Sequence, residues 1–422
     1  MRTEETRSNY PNLLFFCEFP PSNNGGGPVT VKRLLADYPS KHISVLTSRC
    51  AFKSARHNGK LECRHYLFPR TNRATRCRWG IGRIKEVIDL LLLPTLVLAA
   101  VWLIKRERVD VIMTIAHGDF VLAVALASAL TSTPFIMLAH EDWVEMVRQS
   151  ASILKYWKPE RLFGSVVRRA GRIYAVSPYM QQMLRSQYHV EAELQLPALE
   201  PKPVSYSQSS GEKGAQKERI QIVYAGSGFG MDCLSLLAGI VKEDKMKDRG
   251  IKSLELHLFM HLTPKKAHEL GWDSERIVVH GWVGPEELEA ALAAADILFI
   301  PYPFQQKEEG ITRTNFPTKA ADYLASETPI LICAPAYSSL LQYARTYNFA
   351  EVVDELNEKA LMQGILNIFS SEDYRQQLKE NARSVFEQNH NLTRQRVELL
   401  ASINKIARVN PERASLSSCF EK

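Results

Sequence analysis

A chain of 422 residues exceeds what one hydrophobic core usually supports, so two domains of roughly 200 residues each are expected. With 45% apolar and 23% charged residues, and no repeat or low-complexity tract, the composition excludes a disordered or fibrous protein. The net charge is a moderate +7, and the seven cysteines are scattered, odd in number and without a CxxC pair, which argues against structural zinc and a disulfide framework.

The opening MRTEETRSNYPN has no basic-then-apolar leader pattern, and with the cysteine usage this points to a reducing cytoplasm. LLFF (Leu13 to Phe16) is the first predicted strand, followed by a Gly-rich loop and a helix from about Pro28 to Tyr38. A second strand is expected at Ile43 to Thr47. Then Arg70, Arg73, Arg76, Arg78, Arg83 and Lys85 crowd into sixteen residues, and the apolar stretch Val87 to Ile104 follows. That stretch approaches the ~20 residues of a membrane span, but Asp89 and Pro94 interrupt it, and a helix packed inside an α/β domain is the favoured reading. The basic cluster reads either as a solvated loop or as a contact with an anionic membrane face. It lacks interleaved aromatics, so nucleic acid is not an expected partner.

Strands are next expected at Asp110 to Ala116, Phe135 to Ala139 and Arg172 to Ser177, with helical patterns between most of them. From Pro197 to Arg219 the composition turns to Pro, Ser, Gly and charge, which reads as a linker. A second strand series begins at Ile220 to Gly226 and continues through LELHLFM, RIVVHG, ADILFIPY and PILICA; beyond about Asn357 the chain is helical. Strand and helix alternation of this kind predicts parallel sheets built from βαβ units. The expected organisation is an α/β domain over residues 1–200, a linker at 201–219, a second domain over 220–408 that includes the C-terminal helices, and a tail at 409–422. In doubly wound domains ligands bind in loops after the strands, so functional residues are sought there.

The first strand exits into Gly25, Gly26 and Gly27 just before a helix, an arrangement that either docks a phosphate or sugar hydroxyl on backbone N–H groups or merely makes a tight turn. His140, with Glu141 and Asp142, follows FIMLA and falls at the rim, as a catalytic or sugar-positioning group or as an ordinary hydrogen-bonded histidine. His117 and Asp119 end the preceding strand and are weaker candidates for an acceptor site. His257 and His261 read as packed core histidines. No carboxylate cluster at ligand spacing stands out, so no metal is expected.

Two segments of the second half, ERIVVHGWVGPEELEAALAAADILFIPY and RTNFPTKAADYLASETPILICA, carry a more specific pattern. A strand ends at Gly281, an acidic stretch runs from Glu286 to Glu289, a helix closes on Ala295 and Asp296, a strand ends at Pro301, and a Pro317 to Lys319 turn precedes Asp322 to Ala325. With FPPSNNGGG, AHED and IYAVSPYM in the first half, the chain resembles the GT-B glycosyltransferases, in particular the retaining family 4 type that builds bacterial surface polysaccharides from nucleotide sugars. The resemblance implies two Rossmann-like doubly wound domains facing an interdomain cleft. It also implies transfer of a sugar from a nucleotide-sugar donor to a hydroxyl of a lipid-linked or polysaccharide acceptor at the inner face of a membrane, with no cofactor beyond the donor.

Under that resemblance Lys319 neutralises the diphosphate and stabilises the leaving group, Arg313 and Thr318 assist, and Asp322 accepts the ribose hydroxyls. His140 is the second catalytic candidate, Gly25 to Gly27 contact the nucleotide sugar, and His117, Asp119 and Glu141 face the acceptor. The chain departs from the family pattern where a first Glu is common, since Thr314 stands there, and Asp322 replaces the second. The loop YAGSGFG also lacks the Arg and Lys that many relatives carry. A nucleotide-sugar epimerase of the same fold and a non-catalytic scaffold are the alternatives.

Overall fold

The structure, a computed structural model, describes residues 10–23, 25–55, 59–70, 81–149, 153–201, 219–249, 251 and 253–408, with the backbone alone at 81–85, 153, 155, 248 and 408. The chain forms two compact units, Met1–Leu196 with Leu392–Lys422 and Pro197–Asn391.

The first unit is built on seven parallel strands: β1 (Leu13–Phe16), β2 (Ile43–Ser48), β3 (Arg64–Phe68), β4 (Val111–Ile115), β5 (Phe135–Ala139), β6 (Arg172–Ala175) and β7 (Glu193–Leu194), in the order β3-β2-β1-β4-β5-β6-β7. Every residue of β1, β4 and β5 is buried. Crossover helices cover both faces of a parallel sheet, which is why these strands read as unbroken apolar runs. Strand order reverses between β1 and β4, the switch point where such sheets place ligands. The sequence reading omitted β3 and β7. The first is an edge strand, RHYLF, in which only Phe68 is buried, and the second has only two residues.

The apolar stretch folds as two helices, Ile81–Leu91 and Leu93–Arg106, with Pro94 in the first turn of the second. Leu96, Val97, Ala100, Leu103 and Ile104 pack into the core, and among the described residues no helix is long and apolar enough to cross a membrane. Arg70 does not lie with a solvated or membrane-facing basic cluster. It is buried, with Nη1 and Nη2 donating to the two Asp119 oxygens at 2.8 and 2.6 Å and Nη2 lying 3.3 Å from Asp89. Taking a guanidinium out of water requires such partners. Arg73, Arg76 and Arg78 lie outside the described residues, as do the side chains of Arg83 and Lys85.

The second unit repeats the plan with β8 (Ile220–Ala225), β9 (Leu254–Phe259), β10 (Ile277–Val279), β11 (Ile297–Pro301), β12 (Ile330–Cys333) and β13 (Glu351–Val353), all parallel, in the order β10-β9-β8-β11-β12-β13. Its switch point falls between β8 and β11. His257 lies on β9 with Nδ1 3.0 Å from Nε2 of His280, whereas His261 is exposed in the loop beyond and is not a core residue. Apart from its two ends, the expected linker 201–219 lies outside the described residues, as does the tail 409–422.

The final helix, Leu392–Arg408, departs from the expected organisation, because it belongs to the first unit and not to the second. Its Leu392, Leu399 and Ile403 are buried, the Tyr174 hydroxyl on β6 donates to Ser402 Oγ at 2.7 Å, and Arg396 Nε donates to the Arg33 carbonyl at 2.9 Å. An amphipathic helix declares that it has an apolar stripe but not which core receives it.

Candidate functional site

In the first unit the ends of β1, β4 and β5 bring most of the sequence candidates together. Gly25, at φ +85°, precedes the helix Gly26–Leu35, and its carbonyl accepts from the Val29 amide at 3.1 Å. A Cβ on Gly27 would lie 3.1 Å from both His140 Nδ1 and Ile115 Cδ1, so the first turn of the helix rests on the histidine. His140 follows β5 directly. Its Nε2 is buried without a hydrogen-bond partner among the described residues, and burial pulls its pKa down to about 4, leaving the imidazole neutral near pH 7.

The next residue, Glu141, points an oxygen to within 3.7 Å of His117 Nδ1, and on the other side of that ring Glu18 approaches Nε2 at 3.8 Å. The His117 side chain holds the Glu141 carboxyl below the usual carboxylate range. Phe19 lies beside the same imidazole, ring centroids 4.5 Å apart. Glu18 and Phe19 sit just past the first strand. A strand-end position was the only sequence signal that marked them. Asp119 does not join this group, since both its oxygens are bound to Arg70 and its side chain is 1% exposed. Asp142 accepts from the Val144 and Glu145 amides and so caps the helix Trp143–Gln149.

In the second unit Lys319 opens the helix Lys319–Ala325. Its Nζ is buried, 4.1 Å from the centre of the Tyr224 ring, with no hydrogen-bond partner among the described residues. Burial lowers its pKa to about 7. The amine lies directly under the loop that leaves β8, because a Cβ on Gly226 would be 2.6 Å from Nζ and 2.8 Å from the Tyr224 hydroxyl. That loop is held by two buried tyrosines: the Gly228 amide donates to Tyr224 Oη and the Ala225 amide to Tyr323 Oη, each at 2.9 Å. Lys319 is therefore built into the floor of a glycine loop, a different place from an exposed surface ion pair. An ammonium without a partner in such surroundings is costly and awaits an anion.

Asp322 stands in the first turn of the same helix and is half-buried, and Thr318 occupies its N-cap without a side-chain capping bond. Arg313 is engaged elsewhere, donating to Glu309 Oε1 through Nε at 2.8 Å and Nη2 at 2.5 Å and lying 4.7 Å from the Tyr337 ring centre. Thr314 is buried, its Oγ1 donating to the Gly310 carbonyl at 3.0 Å.

Residues 26–195 match the family model described as Glycosyltransferase Family 4. No curated protein matches the sequence. Among solved structures, sucrose-phosphate synthase from Thermosynechococcus elongatus is similar with a TM-score of 0.66 and 14% identity, over 95% of this chain and 100% of that one. HepE from Anabaena, in complex with UDP and glucose, gives a TM-score of 0.62 at 12% identity, over 94% of this chain and 100% of that one. WaaG, a glycosyltransferase involved in lipopolysaccharide biosynthesis, gives 0.55 at 14%, over 94% of this chain and 98% of that one. At such identities structural likeness establishes the fold, which is GT-B with two Rossmann-like domains. With the family match, the chain resembles the family 4 glycosyltransferases, and the two findings together support a glycosyltransferase.

Proposed function

We propose that this GT-B chain, resembling the family 4 glycosyltransferases, moves a sugar from a nucleotide-sugar donor to a hydroxyl of a lipid-linked or polysaccharide acceptor, with retention of configuration. The observation that carries the reading is the buried, unpartnered Lys319 Nζ beneath the glycine loop after β8. A nucleoside diphosphate supplies the negative charge this amine lacks, and charge on the diphosphate grows as the sugar departs, so a group fixed there lowers the barrier to transfer. Asp322, one turn further on the helix, is assigned to the ribose hydroxyls and Thr318 to the phosphates. Arg313 joins them on leaving Glu309. Neutral His140 is assigned to the transferred sugar, with Gly25 to Gly27 letting the helix approach it. His117 and Glu141 are assigned to the acceptor. The donor is the only ligand the reaction requires besides the acceptor, and retention rests on the family resemblance.

Support for a diphosphate donor comes from HepE, whose structure holds UDP and glucose, and support for a glycan or lipid-linked acceptor from WaaG and its place in lipopolysaccharide biosynthesis. Such acceptors are met at the cytoplasmic face of a membrane, and the exposed apolar helices of the first unit favour peripheral contact there.

The test is turnover of a panel of nucleoside diphosphate sugars by the purified chain, read as release of the nucleoside diphosphate. Donor-selective release that needs Lys319 is expected. A chain that binds nucleotides but turns over none of the panel, with or without glycan acceptors, is a scaffold, and the proposal is then wrong.

A further inference from the structure

We propose that Glu18, Phe19, His117 and Glu141 form a subsite for the acceptor, and that its ligand is a neutral sugar ring presenting two neighbouring free hydroxyls. The inference rests on the glycosyltransferase reading and specifies the acceptor's chemistry, which that reading leaves open.

The four residues come from the ends of three adjacent strands, β1, β4 and β5, at the switch point of the sheet. The Glu18 backbone is fixed, since its carbonyl accepts from Thr47 Oγ1 at 2.8 Å and from the Ser48 amide at 3.1 Å. Its carboxylate and that of Glu141 flank the two nitrogens of His117 at 3.8 and 3.7 Å, beyond hydrogen-bond length. An imidazole carries one N–H when neutral and two when charged, whereas two ionised carboxylates have about four acceptor sites each. The cluster therefore lacks donors. It also lacks an acceptor or donor for His140 Nε2, which is buried without a partner one residue before Glu141.

Three ligand classes separate on these grounds. A phosphate or carboxylate brings no donors and meets two negative charges. An ammonium brings donors only, and no atom that accepts from an imidazole N–H lying beyond hydrogen-bond length of both carboxylates. A hydroxyl both donates and accepts, and a pair of neighbouring hydroxyls spans the two oxygens of one carboxylate. Phe19 adds a face on which the apolar side of a pyranose can lie, its ring being half-buried and tilted by 57° against the His117 imidazole.

Saturation-transfer NMR on the whole protein tests the subsite without any donor. The probes are methyl hexopyranosides with free neighbouring hydroxyls, their O-methylated counterparts, propylammonium, and methyl phosphate. Glu18→Gln keeps the shape of the side chain and removes its charge, and Phe19→Ala removes the platform; thermal melting checks that both variants fold. The expected result is transfer to the unmodified glycosides alone, falling roughly 10-fold or more in affinity in each variant, as loss of a hydrogen bond to a charged group predicts. UDP and other nucleoside diphosphates should bind the variants as they bind the parent. Preference for propylammonium or methyl phosphate, indifference to O-methylation, no glycoside binding at all, or glycoside binding unchanged in both variants overturns the subsite. Failure of the glycosyltransferase reading would instead show as absent donor turnover while glycoside binding persists.

Discussion

Lys319 carries opposite consequences for stability and for chemistry. In the unfolded chain a lysine stays protonated to about pH 10.5, whereas burial lowers this one to about 7. Between those values the unfolded state binds more protons, so stability rises with pH across that window and the burial cost is fully felt below it. Lys319→Met should therefore raise the melting temperature near pH 7, with the gain shrinking as pH approaches 10; a gain independent of pH would mean that the amine titrates normally. The same residue is assigned to the leaving group, and Lys319→Ala should lower turnover by at least ~10²-fold, the usual loss when one stabilising group of this kind is removed. Near-normal turnover on the preferred donor would remove Lys319 from the site. His140, neutral down to about pH 4, contributes no ionisation to a rate profile above pH 5.

Among the elements, the loop joining β8 to the helix Met231–Lys242 depends on glycine most strictly. Gly230 sits at φ +76°, and a Cβ there would lie 2.6 Å from the carbonyl carbon of Pro301 and 2.7 Å from the Tyr302 amide nitrogen. Both contacts are backbone and cannot swing aside. Gly230→Ala should cost at least ~2 kcal/mol in denaturant unfolding, from the left-handed conformation and the clash together; a change below ~0.5 kcal/mol would show that the loop yields.

The helices of the first unit bear a different expectation. Nine of the fifteen large apolar side chains exposed among the described residues fall between Val87 and Leu130 or at Tyr156 and Trp157, on three helices and the turn Ile153–Tyr156 with its successor. Leu98 and Trp102, one turn apart, are 64% and 54% exposed. If the chain docks on a membrane through this face, Leu98→Ser with Trp102→Ser should weaken vesicle binding ~10-fold or more at unchanged melting temperature, since each large apolar group that enters lipid contributes roughly 1.5–3 kcal/mol. Parent protein that ignores anionic vesicles at low salt would end the membrane reading. The buried strands and the Gly-rich turns were legible in the sequence because an apolar run of four to six residues between turn signals has one economical interpretation. The Arg70 pairing was not, because its carboxylates lie 19 and 49 positions away and nothing local distinguishes a buried arginine from its solvated neighbours. The Glu18 and His117 juxtaposition was hidden for the same reason, being made by strand order and not by spacing.

At the scale of the whole molecule, the second unit is one continuous insertion, Pro197–Asn391, in a first unit made of both ends of the chain. The two crossings run side by side: the Leu199 amide donates to the His390 carbonyl at 3.0 Å, and His390 Nδ1 lies 2.6 Å from the Pro197 carbonyl. Truncation after Asn391 should thus strip the first unit of Leu392, Leu399, Ile403 and the Ser402 bond to Tyr174 while leaving the second unit whole. Two unfolding transitions are expected in calorimetry of the truncated chain, with the one from the first unit moved to lower temperature; a single unshifted transition would make the helix dispensable. The arrangement also fixes an order of events on the ribosome. The second unit has all its residues once synthesis passes Asn391, but the first, although begun earliest, must wait for Leu392–Arg408 before the contacts to Tyr174 and Arg33 can form. The half that starts first is the half that folds last, so a premature stop at Leu392 would endanger the N-terminal residues more than those beside the break.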